Sequence, residues 1–186
     1  MISRETWSFD DEIPEEQHWA CGRPMAKYKG GYPEGFLQRL DEKLVFKDKK
    51  ILTLFCGSST FGDTVDIKSE VDPTFVADCR KELPIESCKY DIVIADPPYD
   101  SQNITYSDKL YKESVVKPYS FVKESVRVLK DGGYLCILHQ LVYKCPDDCE
   151  RYAVIPITTG PNQRIRVLNI FTKIRKLTEV MTDGKV

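Results

Sequence analysis

Short apolar runs recur along the chain, each closed by small, acidic or proline-bearing residues. Lys50-Ile51-Leu52-Thr53-Leu54-Phe55-Cys56-Gly57-Ser58-Ser59 is an apolar stretch that ends in a small-residue turn, and Tyr90-Asp91-Ile92-Val93-Ile94-Ala95 is a second that ends at Asp96. Val65-Asp66-Ile67, Phe75-Val76-Ala77-Asp78-Cys79 and Tyr134-Leu135-Cys136-Ile137-Leu138 have the same character. Runs of this length bounded by turn residues predict buried strands. Between them the period changes. Residues 32–40 predict a turn and a short amphipathic helix, and residues 109–130 a helical region with Val115, Val116, Tyr119, Val122, Val126 and Leu129 on its apolar face. Pro118 interrupts that region and Asp131-Gly132-Gly133 is expected to end it. Two further strands, 152–157 and 164–171, flank Thr158-Thr159-Gly160-Pro161-Asn162-Gln163, whose composition is that of a hairpin turn. The pattern predicts an α/β domain.

The end of the 90–95 run carries the densest chemistry. Asp96-Pro97-Pro98-Tyr99 delivers an acid, two rigid residues and an aromatic ring to the carboxyl end of a buried strand. The prolines fix φ and bias the preceding residues toward extended backbone, so the local carbonyls point in set directions. Asp96 and the Pro97 carbonyl can both accept hydrogen bonds from a planar NH2 group, and Tyr99 offers a face for a flat heterocycle. One βαβ-like interval upstream, Gly57-Ser58-Ser59 follows its own strand, where a glycine lets a nucleotide-like ligand approach the backbone.

In that order and spacing, the chain resembles the class I S-adenosylmethionine-dependent methyltransferases, and among them the amino-methyltransferases that carry Asp-Pro-Pro-Tyr. The resemblance implies a Rossmann-like sheet, mostly parallel with an antiparallel final hairpin, flanked by helices. It implies S-adenosyl-L-methionine as cofactor. Phe55, Cys56, Gly57 and Ser58 match the family's first motif. Asp66, with Ile67, falls where such enzymes bind the ribose hydroxyls, and Asp78, with Cys79, where they meet the adenine amino group. The segment before the first strand contributes to the pocket for the methionine end, which places Lys29 and Gly30 of Lys27-Tyr28-Lys29-Gly30-Gly31 there; a solvated basic loop is the alternative. Asp96, Pro97, Pro98 and Tyr99 are the implied catalytic residues. Gly57 and Asp66 stand too close for the helix that usually joins the first two strands, so residues 58–63 must cross as a loop or single turn.

At 186 residues the chain is expected to form one domain, with an amino-terminal arm and cofactor-side segment over 1–45, a catalytic core over 46–176 and a tail over 177–186. No stretch is long and apolar enough to span a bilayer, and the first residues lack a signal-peptide core. Seven cysteines without a Cys-x-x-Cys pair predict reduced thiols and a cytoplasmic protein. Cys145 and Cys149 have no histidine close by in sequence, so no metal is expected.

An acid in the first position of the catalytic motif resembles the DNA adenine enzymes, so the expected substrate is adenine N6 in DNA. Methylation of an RNA base, methylation of a glutamine side chain and a non-catalytic partner subunit remain the alternatives. The net charge of −2 argues against broad phosphate binding, for which a basic face would be the expected footprint. Target recognition must then come from local patches such as Arg164, Arg166, Lys173, Arg175 and Lys176, from a second copy of the chain in a homodimer, or from a partner subunit. Asn162, Arg164 and Arg166 are the expected nucleic-acid contacts, with ordinary solvated charges as the alternative. Arg164 and Arg166, two residues apart, would project from one face of a strand.

Overall fold

The computed structural model describes residues 18–23, 31–98 and 116–175. Its strands are β1 (Trp19–Ala20), β2 (Ile51–Leu54), β3 (Asp63–Asp66), β4 (Phe75–Val76), β5 (Tyr90–Ala95), β6 (Leu129–His139), β7 (Cys149–Thr158) and β8 (Arg166–Lys173), and its helices are α1 (Phe36–Leu44) and α2 (Val122–Val128). The strands form one sheet in the order β1-β7-β8-β6-β5-β2-β3-β4. All neighbours are parallel except β8, which runs antiparallel to both β6 and β7. The mostly parallel sheet with its antiparallel final pair is therefore as the sequence predicts.

Alternation along the strands fixes two cores. In β5, Ile92 and Ile94 join one apolar cluster with Phe36, Leu40 and Leu44 of α1, while Val93 and Ala95 join the other with Val122 and Val126 of α2. Side chains of a strand point alternately to the two faces, and a sheet covered on both sides needs apolar residues at every position. The same parity places Leu168 and Ile170 of β8 on the α1 face and Phe171 on the α2 face. Trp19 extends the α1-side core to the edge of the sheet, packing edge-on to Phe36 with ring centroids 6.2 Å apart.

Residues 55–62 cross from β2 to β3 without a helix, as the spacing requires. Hydrogen bonds hold this crossing instead. The Thr53 hydroxyl donates to the Phe61 carbonyl at 2.6 Å, and the Cys56 amide donates to the Val65 carbonyl at 3.1 Å. Gly62 takes φ +70°, and a Cβ there would lie 2.6 Å from the Ile51 carbonyl oxygen. The next crossing, from β3 to β4, is closed by reciprocal bonds in which the amides of Thr64 and Thr74 donate to each other's hydroxyls at 3.0 and 2.9 Å.

Two boundaries differ from expectation. The chain passes from α2 directly into β6, so Asp131-Gly132-Gly133 lies within the strand rather than at a helix end. Leu129 pairs with Tyr90 and Tyr134 with Ile92, so that residues 130–133 bulge opposite Asp91. The last strand begins at Arg166, leaving Arg164 in the preceding turn. Residues 109–115 of the expected helical region lie outside the described residues. No helix among the described residues is long and apolar enough to cross a membrane.

Candidate active site

The parallel strands β2, β3, β5 and β6 present their carboxyl ends at one edge of the sheet, and antiparallel β8 begins there, with Val167 paired to His139. Such an edge is where open α/β sheets bind ligands. Asp96 is the first residue beyond β5, followed by a buried Pro97 and a half-buried Pro98. Its side chain is 12% exposed, and burial pushes its carboxyl up to about 7, against the opposing pull of Arg166. Tyr99 lies outside the described residues.

Arg166 reaches back over this acid. Its Nη1 stands 3.4 Å from Asp96 Oδ2 and 3.5 Å from the carbonyl oxygen of Gly31. Gly31 lies three residues before Glu34, which pairs antiparallel with Gly22. Tyr32, the next residue, stacks on Phe36 with centroids 5.2 Å apart. Its hydroxyl is buried close to the Thr53 side chain, with no hydrogen bond of good geometry among the described residues. Burial raises the Tyr32 pKa well above its ordinary value, and Asp96, Cys56 and Cys136 raise it further by charge repulsion. A buried hydroxyl without a well-formed hydrogen bond, beside a nearly buried acid, keeps capacity for a further polar contact.

The turn after β2 forms the second part of the site. Phe55 and Gly57 both adopt left-handed backbone, at φ 56° and 51°. A phenylalanine in that region is strained, and such strain collects at functional sites. The Gly57 amide donates to Asp66 Oδ2 at 2.9 Å, and the Lys68 amide to Asp66 Oδ1 at 3.0 Å. Asp66 is 8% exposed at the end of β3, with Ile67 packed against the core after it. Each carboxylate oxygen keeps lone-pair capacity for a further donor. Burial, with the charge of Asp66 adding to it, pushes the Cys56 thiol up to about 11, so it stays a neutral wall. Ser58 lies in the tight turn closed by the Ser59 amide on the Cys56 carbonyl.

Asp78 follows β4 and is gripped by Arg80, whose Nε donates to Oδ1 at 2.9 Å and whose Nη2 donates to Oδ2 at 2.8 Å. That contact holds its carboxyl below the usual range. Cys79 beside it is buried, its thiol pushed up to about 12 by burial. Asp66 ends β3, and Asp78 and Asp96 follow β4 and β5, so the three acids sit in series along one edge.

Not every expected residue reaches this edge as a group. Asn162, at φ 58°, and Arg164 are exposed in the turn between β7 and β8, whereas Arg166 is turned inward to Asp96. The expected basic patch is not continuous: Lys173 lies at the far end of β8, is buried, and donates to the Leu129 carbonyl at 2.7 Å. The two ends of the strand lie at opposite edges of the sheet, which separates Arg164 and Arg166 from Lys173 and Arg175. Lys176, Lys29 and Gly30 lie outside the described residues. His139 is a structural residue of this edge, its Nδ1 accepting the Leu141 amide at 3.1 Å and its pKa lowered to about 4 by burial. Among the described residues, no three His, Cys, Asp or Glu side chains converge as metal ligands. Sequence reading missed Tyr32, whose only signal is an aromatic just before a helix.

No protein-family model matches the chain, and no curated protein matches it in sequence. Solved structures do share its fold. The Escherichia coli protein yhhF, provisionally assigned as a methyltransferase, is 12% identical over 82% of this chain and 92% of its own, with a TM-score of 0.50. The N-methyltransferase NodS from Bradyrhizobium japonicum WM9 is 10% identical over 75% of this chain and 95% of its own, at the same TM-score, and it has also been solved with S-adenosyl-L-homocysteine. A Listeria monocytogenes protein, provisionally assigned as an S-adenosylmethionine-dependent methyltransferase, is 10% identical over 74% of this chain and 97% of its own, with a TM-score of 0.50. The strand order, the antiparallel β8 and these likenesses agree: the chain has the Rossmann-like fold of the class I methyltransferases.

Proposed function

We propose that the protein is an S-adenosylmethionine-dependent methyltransferase acting on the exocyclic N6 amino group of adenine in DNA, and that residues 1–186 make up a single methyltransferase domain. The observation that carries this reading is the nearly buried Asp96 at the end of central strand β5, followed by two prolines and set beside the Gly57 turn. Seven free thiols suit a reducing compartment, the cytoplasm.

The residues at the edge fit the cofactor. Asp66 has acceptor capacity for ribose hydroxyls, and Asp78, whose two oxygens are both taken by Arg80, would meet an adenine amino group by exchanging one of those contacts. Gly57 opens the backbone between them, with Phe55, Cys56, Ser58, Ile67 and Cys79 as walls. The buried Tyr32 hydroxyl has capacity for a polar contact near Asp96, and Lys29 and Gly30 are assigned to the methionine end. When bound, the cofactor supplies a methyl group on a sulfonium, a good leaving group.

The protein's part is alignment. The lone pair of a base amine is conjugated with its ring and is a weak nucleophile. Hydrogen bonds from the two N–H groups to Asp96 and the Pro97 carbonyl favour the tetrahedral nitrogen that attacks carbon. After transfer that nitrogen carries one proton too many, and a carboxylate titrating at about 7 is suited to take it. Pro98 stiffens the turn, and Tyr99 stacks on the base, which must leave a duplex to reach it. With a net charge of −2, target choice falls to a local surface, a second copy of the chain or a partner subunit.

Incubation with methyl-labelled S-adenosylmethionine and a mixture of DNA and RNA, followed by nucleoside analysis, tests this. The expected product is N6-methyldeoxyadenosine. Label only in ribonucleosides, or in protein glutamine, would replace the substrate assigned here.

A further inference from the structure

Arg166 is placed to act on the base itself. By strand parity it shares the α1 face with Leu168 and Ile170, and Asp96 continues the parity of Ile92 and Ile94 onto that same face. The two side chains are 20% and 12% exposed, with Nη1 and Oδ2 3.4 Å apart. A cation serving the phosphate backbone should project into solvent, as Arg164 does. Arg166 instead lies against the acid and is steadied by the Gly31 carbonyl at 3.5 Å.

Together the pair is an acceptor with a donor beside it. An amine flanked by a ring nitrogen lone pair presents the opposite order, a donor with an acceptor beside it, and the amidine edge of adenine, N6 next to N1, has this form. We propose that Arg166 is a specificity-determining residue that donates to the ring nitrogen adjacent to the methylated amine while Asp96 accepts from the amine. The inference rests on the functional reading above. Arg166 thereby selects bases whose amine has an acceptor neighbour, and its planar fork spans from Asp96 to the ring in a way a point charge does not.

The test uses a DNA that the wild-type protein methylates, resynthesised with 1-deazaadenine, which has C–H in place of N1, at the target position. Loss of the ring nitrogen makes the amine more nucleophilic and its base pair weaker, so intrinsic chemistry would speed the reaction. A fall in rate therefore reports recognition. The expected result is a drop in kcat/KM of at least about tenfold for the wild type. In Arg166→Met the two substrates should react within about threefold of each other, both slower than adenine with the wild type, with cofactor affinity preserved. Equal rates on both substrates for the wild type overturn the inference, and need no variant. Retention of the wild-type preference by Arg166→Met overturns it as well. Should that variant not fold, Arg166→Leu takes its place, and undiminished preference there counts in the same way. If the wild type methylates no adenine in any DNA, the functional reading fails and this inference with it; methylation of adenine without discrimination removes only the role of Arg166.

Discussion

The Asp66 carboxylate accepts the Gly57 amide at 2.9 Å, tying the end of β3 to the turn after β2. This bond does work that a crossover helix would otherwise do, since residues 55–62 contain none. It also fixes the orientation of the acid assigned to the ribose.

Asp66→Ala is therefore expected to act twice. Cofactor affinity should fall by roughly 1.5–3 kcal/mol through loss of a charged acceptor, and the orphaned Gly57 and Lys68 amides should lower stability as well. Asp66→Asn, which keeps an acceptor for Gly57, should lose less stability. Calorimetry with S-adenosyl-L-homocysteine together with urea melts separates the two effects. Unchanged affinity in Asp66→Ala would remove this acid from the cofactor site.

Gly62 sets the geometry of the same crossing. Alanine there combines φ +70° with a Cβ 2.6 Å from the Ile51 carbonyl, so Gly62→Ala should cost roughly 1–3 kcal/mol. Chemical denaturation measures it, and a loss below about 0.5 kcal/mol would mean that the loop relaxes freely.

The carboxyl of Asp96 links activity and stability to pH. It is raised from 3.8 to about 7 by burial, with Arg166 opposing and the Tyr32 hydroxyl close by. The folded protein thus holds a proton where the unfolded chain has lost it. Stability from this group is fully present below pH 4 and declines as pH rises through 7, by up to about 4 kcal/mol. Methyl transfer should run the other way, increasing through pH 7 as the acceptor ionises. Asp96→Asn should flatten the stability profile between about pH 4 and 7. Parallel profiles for wild type and variant would show that Asp96 is not held in this state.

Much of the framework of this candidate site was legible in the sequence. The run from Tyr90 to Ala95 ends where the strand ends, because Pro97 and Pro98 cannot continue the ladder. The short interval from Gly57 to Asp66 excluded a helix. Less legible were features that depend on which strands are neighbours. Arg164, Arg166, Lys173, Arg175 and Lys176 are close in sequence, yet Arg166 and Lys173 lie about 23 Å apart along an extended strand and end at opposite edges. The turning of Arg166 toward Asp96 follows from parity once β8 is known to run antiparallel beside β6, an adjacency the sequence does not state. Tyr32 and two-residue β1 gave no periodic signal at all, since tertiary packing alone defines them.

The central claim is that Asp96 acts on the amine during transfer rather than on the cofactor. Single-turnover methyl transfer to adenine-containing DNA by Asp96→Ala, with cofactor affinity measured in parallel, tests it most directly. The account predicts affinity within about threefold of wild type and a transfer rate lower by at least about two orders of magnitude. A rate within a few-fold of wild type, with the variant folded and the cofactor bound, would contradict it.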